Sequence, residues 1–154
     1  MHYGLMKTEP NTFGLKHLAA APRRTTAWDG VRNYQARNMI RDQMQKGDQA
    51  FLYHSSTEVP GIVATMQIVR AAYPDPTAFD KKHHHYDPDS DAKNPRWFMV
   101  DVQLMQPLAR TISLEELRKY ETKQLKGMML LRRGNRLSIT PVEAAHWKFI
   151  LSLE

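Results

Sequence analysis

Residues 33–73, NYQARNMIRDQMQKGDQAFLYHSSTEVPGIVATMQIVRAAY, change their apolar period partway along. From Asn33 to Met44, the residues Ala36, Met39, Ile40 and Met44 recur at the spacing of a buried helix face. Lys46-Gly47-Asp48 ends that helix, because glycine accepts the left-handed backbone of a helix stop. Beyond Gly47 the pattern becomes extended. Ala50 to His54 reads as one strand, and Gly61 to Tyr73, rich in Ile, Val and Thr, as a second, longer one. The polar turn Ser55–Pro60 separates them.

The flanks continue this mixture. Tyr3 to Met6 is a short apolar strand closed by Glu9-Pro10, and Asn11 to Ala21 suits a short helix with Asn11 as its cap. Residues 74–95 hold four prolines, five aspartates and three consecutive histidines, which is loop chemistry. Phe98, Val100, Val102 and Leu104 then alternate as a half-buried strand. Ser113 and Glu116 form a capping box for a helix over Leu114–Tyr120. Met128–Arg133 runs from apolar to basic, Gly134-Asn135 is a turn, and Arg136–Ile139 is a short strand. Thr140, Pro141 and Glu143 supply the cap, first-turn proline and reciprocal cap of a final helix. Its expected buried face is Val142, Ala145, Phe149, Ile150 and Leu153. Without regular βαβ alternation, the pattern predicts an α+β domain on a strongly bent, mostly antiparallel sheet or small barrel.

Composition narrows the functional classes. The 154 residues have room for a single domain over 1–154, and none of them is cysteine, which excludes disulfides, thiolate zinc sites and thiol nucleophiles. The N-terminal MHYGLMKTEP lacks a signal peptide's basic start and apolar stretch, and no apolar run approaches the ~20 residues of a membrane span. A soluble, cytoplasmic protein is the expectation, with no membrane partner. Lys plus Arg total 22 against 16 Asp plus Glu, for a net charge of +6. Such a surface attracts phosphate backbones in a salt-sensitive way.

Five segments carry chemistry. Ala27 to Asn38, AWDGVRNYQARN, is the densest. Its Trp28 and Tyr34 can stack on bases while Asn and Arg read base edges and grip phosphates, and both rings equally suit a core. Lys7-Thr8-Glu9 stands at a strand end, where Glu9 can accept a base's amino proton or simply face solvent. Tyr53-His54-Ser55-Ser56 stands at another strand end, where His54 can bond a ligand or act as a base or sit as a satisfied, partly buried histidine; no G-x-S-x-G elbow accompanies Ser55. Arg132-Arg133-Gly134-Asn135-Arg136-Leu137-Ser138 is a basic turn whose three arginines suit phosphates, or a plain exposed hairpin. His83-His84-His85 can bind a transition metal weakly, yet adjacent residues do not readily aim three rings at one ion. The nearby aspartates fail as a calcium loop because Ala92 and Phe98 fill its sixth and twelfth positions. That loop is therefore read as solvated, and no metal or other cofactor is expected.

Several stretches, taken in order, resemble the EVE domain of the PUA-like superfamily: YGLMKTEP (3–10), WDGVRNYQARN (28–38), GDQAFLYHSS (47–56), PGIVATMQIV (60–69), YPDPTAFD (73–80), YDP (86–88) with PRWFMVDV (95–102), and RLSITPV (136–142). Two positions depart from the family: Gly4 stands where members carry Trp, and Thr8 where they carry Ser. The resemblance implies a PUA-like bent, mostly antiparallel β-barrel flanked by helices. It implies a non-catalytic reader of a modified base, of 5-methylcytosine type in DNA or a modified base in RNA, flipped into an aromatic pocket. That pocket would be formed by Lys7, Thr8 and Glu9, by Trp28, Asp29, Gly30, Val31, Arg32, Asn33 and Tyr34, and by His54 and Ser55. Arg136, Leu137 and Ser138 would line its side, and Arg32, Arg37 and Arg136 would meet backbone phosphates. The alternatives are a nuclease or base-modifying hydrolase using Glu9 and His54, or a module binding a small molecule or protein. A single-domain chain of this sort can also serve a partner enzyme.

Overall fold

The computed structural model describes residues 2–154. Six strands form one sheet in the order β2-β5-β4-β3-β1-β6. They are β1 (Tyr3–Thr8), β2 (Thr25–Ala27), β3 (Gln49–His54), β4 (Gly61–Pro74), β5 (Phe98–Ser113) and β6 (Ile139–Pro141). The helices are α1 (Leu15–Ala20), α2 (Tyr34–Asn38), α3 (Leu114–Arg118) and α4 (Ala144–Ser152). Only β1 and β3 run parallel, placing Leu5 opposite Phe51; the remaining ladders are antiparallel.

Side-chain alternation along the strands supplies two cores, one on each face of the sheet. Met6, Ala50, Leu52, Ala64, Met66 and Ile68 pack on one face with Leu18 of α1 and Ala36 of α2. Leu5, Phe51, Tyr53 and Ile62 pack on the other with Leu117 of α3 and Ile150 of α4. Double coverage explains why residues 50–53 are apolar without a break. On the second face the Trp147 ring stacks on Phe51 at 4.0 Å and on Tyr3 at 4.7 Å between centroids.

The β4–β5 ladder carries four register irregularities, which bend both long strands. Pro107 lies inside β5 beside one of them, where its missing N–H breaks no regular ladder. This explains why the alternating pattern ends at Leu104 while the strand continues to Ser113. The sheet is not a closed barrel, which corrects that expectation: β2 and β6 remain its edges. Each edge strand has only three residues, and Pro141 leaves β6 one donor short. The sheet nevertheless curls far enough that Thr26 and Ala27 of β2 and Ser138, just before β6, border the same cavity.

Several local boundaries shift for identifiable reasons. Asn11 does not cap α1, because Thr12 and Phe13 N–H both donate to the Glu9 carbonyl in a turn that delays the helix. Gly14 is the cap residue, its N–H donating to His17 Nδ1 at 2.9 Å. Asn33 caps α2 through its side chain, which accepts from Ala36 N–H at 3.1 Å, and the chain continues through a π turn at Met39–Gln43. Ser113 accepts from Glu116 N–H at 3.1 Å at the start of α3. The strand expected at Arg136–Ile139 begins only at Ile139, so Thr140 and Pro141 pair with β1 instead of opening α4. Glu143 takes the cap position, and the shifted helix buries His146, Trp147 and Ile150 while Ala145 is exposed. Among the described residues no helix is long and apolar enough to cross a membrane.

Candidate nucleic-acid interface

A cavity of about 410 Å³ opens between the curled edges of the sheet, within the roughly 300–1,000 Å³ usual for small-ligand sites. Lys7 and Thr8 enter from the end of β1, Trp28 through Arg32 from the chain after β2, and Ser138 from the approach to β6. Thr12, Phe13, Thr26, Ala27 and His85 complete the lining.

Trp28 is held at the β2 exit by its N–H, which donates to the Val100 carbonyl at 2.8 Å. Trp28 is 9% exposed, belongs to the first core and also lines the cavity. Lys7 Nζ lies 5.9 Å from the Tyr53 ring centroid and has no hydrogen-bond or ion-pair partner among the described residues. Burial lowers the pKa of its ammonium. The exposed Asp29 carboxylate borders the same cavity. Thr8 is committed to the structure, its hydroxyl donating to the Phe13 carbonyl at 2.7 Å.

Arg32 serves as a strut. Its five N–H groups reach the His85 carbonyl (3.2 and 2.8 Å), the Val31 carbonyl (3.0 Å), Asp75 Oδ2 (3.1 Å) and Thr77 Oγ1 (3.3 Å). A guanidinium has five donors, and all five are engaged within the fold. Arg37 is likewise engaged, donating to Asn38 Oδ1 at 2.8 Å and the Arg96 carbonyl at 2.7 Å, with its guanidinium 4.9 Å from the Tyr34 ring. Arg136 is exposed and unpaired among the described residues.

The strut is anchored on Asp75, whose side chain is 0% exposed. Its carboxylate accepts from Gly30 N–H (2.9 Å), Arg32, Thr77 N–H (2.9 Å) and Thr77 Oγ1 (2.6 Å). Desolvation raises its pKa, but the hydrogen bonds from Thr77, Gly30 and Arg32 outweigh that and hold the carboxyl below its ordinary range. Asp75 and the loop after it therefore fix the 28–32 wall.

Gly30 has a structural reason to be glycine. Its φ is +76°, and a Cβ there would fall 2.4 Å from His85 Cε1. Gly30→Ala should cost roughly 1–3 kcal/mol from overpacking beyond the ~1–2 kcal/mol of the left-handed backbone. Urea denaturation measures this loss; an unchanged midpoint would mean that the His85 ring is not packed there.

Other expected site residues fall elsewhere. Glu9 is exposed and does not line the cavity. His54 Nε2 accepts from Leu15 N–H at 3.1 Å at the start of α1, and burial lowers its pKa, both favouring neutral imidazole. Ser55 N–H and Oγ both meet the Thr8 carbonyl, at 2.9 and 3.4 Å, clamping β3 to β1. Asn33 is spent as the α2 cap, while Arg136 and Leu137 lie outside the lining. Tyr34 is 51% exposed and stacks on Trp97 at 4.9 Å, bordering a separate polar depression with Arg37, Arg41 and Arg96. Of the lining that local patterns missed, Thr12 and Phe13 come from the Glu9 turn. His85 comes from the histidine run, whose sequence carries no signal for a place in the pocket.

Residues 2–153 match the EVE domain family. Thymocyte nuclear protein 1 of Danio rerio is 49% identical over 97% of this chain and 71% of its own length. The protein of the same name from Homo sapiens is 47% identical over 97% of this chain and 72% of its length. The solved structure of human THYN1 in complex with DNA containing 5-methylcytosine superposes with a TM-score of 0.93 at 46% identity, covering 98% of this chain and 96% of that one. The relatives are named as nuclear proteins, which corrects the cytoplasmic expectation.

Proposed function

The chain belongs to the EVE domain family, and from that premise we propose that it is a non-catalytic DNA-binding domain that reads 5-methylcytosine in the cavity between β2 and β6. The observation that carries the proposal is the close structural likeness to human THYN1 bound to DNA containing 5-methylcytosine, together with a cavity that offers matching chemistry. Cytosine presents an amino donor at N4, which suits the Asp29 carboxylate, and a carbonyl acceptor at O2, which suits the Lys7 ammonium. Trp28 and Phe13 supply the aromatic walls, and Val31 an apolar contact for the methyl group. A base reaches this depth only by leaving the duplex stack, so the proposal includes base flipping. The base would enter between the β2 and β6 edges of the curled, open sheet.

Two features support binding over turnover. Glu9 and His54 do not share the cavity, and the Nε2 lone pair of His54 is already used. Backbone affinity comes from the net charge of +6 and from exposed cations such as Arg136, since Arg32 is internally engaged.

Fluorescence polarisation with matched DNA and RNA strands, methylated and unmethylated at one cytosine, tests this at two salt concentrations. Tighter binding to methylated DNA is expected, with log affinity falling by about 0.9 per phosphate contact per decade of salt. Equal binding with and without the methyl group overturns the reading, and a preference for modified RNA would reassign the polymer.

A further inference from the structure

His83, His84 and His85 lie in the loop between a 3-10 turn at Pro76–Phe79 and β5. On a strand, successive side chains would point to opposite faces, which is why convergence was not expected. A turn removes that obstacle. His83 N–H donates to the Asp80 carbonyl at 2.9 Å and Tyr86 N–H to the His83 carbonyl at 3.0 Å, which folds the backbone back on itself. The three rings then gather, with centroids 4.6 Å apart for His83–His84, 3.9 Å for His84–His85 and 4.8 Å for His83–His85. One nitrogen from each lies within 4.8 Å of the others. In addition, the buried Nδ1 of His85 has no hydrogen-bond partner among the described residues. Buried polar atoms are rarely left this way, and an ion is one of the ordinary explanations.

We propose that His83, His84 and His85 form a binding site for a divalent transition-metal ion of borderline softness, Zn²⁺ or Cu²⁺, on the rim of the base cavity. Neutral imidazoles favour these ions over Mg²⁺ or Ca²⁺, which take oxygen ligands. Metal–nitrogen bonds of about 2.0–2.1 Å place tetrahedral ligand atoms ~3.4 Å apart, so nitrogens up to 4.8 Å apart need to close by about 1.4 Å. Side-chain rotation within the turn supplies that movement. His83 Nδ1 accepts from His85 N–H at 3.0 Å, and metal capture exchanges this turn hydrogen bond for a metal–nitrogen bond. Three protein ligands leave a fourth position for water. Because His85 also lines the base cavity, the bound charge sits beside the pocket wall.

Isothermal titration of the tag-free full chain with ZnCl₂ tests the site independently of DNA binding. One ion per chain is expected. His84→Gln, at an exposed position outside the cavity lining, should weaken binding by at least the ~10–100-fold that loss of an outer-shell partner costs. His83→Gln should do the same while circular dichroism remains that of the parent. Zinc-dependent shifts of histidine ring nitrogens should be confined to these three residues. Absence of one-to-one binding, or unchanged affinity in both variants, overturns the proposal.

Discussion

Trp28→Ala should lower stability by about 3–5 kcal/mol and abolish detectable preference for methylated DNA. The first effect follows from burial: Trp28 belongs to the same buried cluster as Val31, Met39 and Val100 on one sheet face, and truncation leaves a cavity there. The second follows from loss of a stacking wall, worth ~1–3 kcal/mol per base. Alanine confounds the two, so the informative variant is Trp28→Leu. Leucine keeps apolar volume in the core and removes the aromatic face. Affinity for the methylated strand should then fall roughly 5- to 150-fold, while urea denaturation reports a smaller stability loss than for alanine. A leucine variant that binds as tightly as the parent would make Trp28 a core residue only.

Asp75→Asn is expected to destabilise the protein by about 3 kcal/mol, the lower end for breaking a buried charge pair, because the Arg32 side chain keeps 24% of its exposure. The asparagine amide turns a donor towards groups that already donate: Gly30 N–H, Arg32 and Thr77. The wall at 28–32 should loosen, and base affinity should fall although Asp75 does not line the cavity. The same carboxylate makes stability depend on acid. Its folded pKa is depressed, so its contribution is complete above the unfolded value of about 3.9 and is lost as pH falls through the lower folded value. Denaturation midpoints of parent and variant should converge in that acidic window. A constant difference down to the lowest pH would sink this account of Asp75.

Much of the scaffold was legible locally. The Ser113–Glu116 and Asn33 caps, the strands at 49–54 and 61–74, and the glycine stop at 47 depend on residues a few positions apart. Errors appear where distant partners override local preference. Thr140 and Pro141 have good helix-start chemistry but pair with Leu5 and Gly4 of β1. Asn11 has good cap chemistry, yet the Glu9 carbonyl captures the following amides. Arg32 belongs to a basic, aromatic segment of the kind that grips phosphate, but residues more than 40 positions away consume its donors.

The sequence by itself determined the α+β class, the mostly antiparallel strands and the net positive charge, because period, capping and charge are properties of short windows. Only the tertiary structure decided the composition of the pocket. Curling of the sheet brings residues 7, 28, 85 and 138 to one cavity and leaves Glu9, Tyr34 and His54 outside it. It also decided which polar groups remain available: Lys7 stays unpaired and Arg32 does not. The physical reason is that a hydrogen-bonding group, once satisfied inside the fold, has little left to offer a ligand, and its partners are chosen by long-range packing.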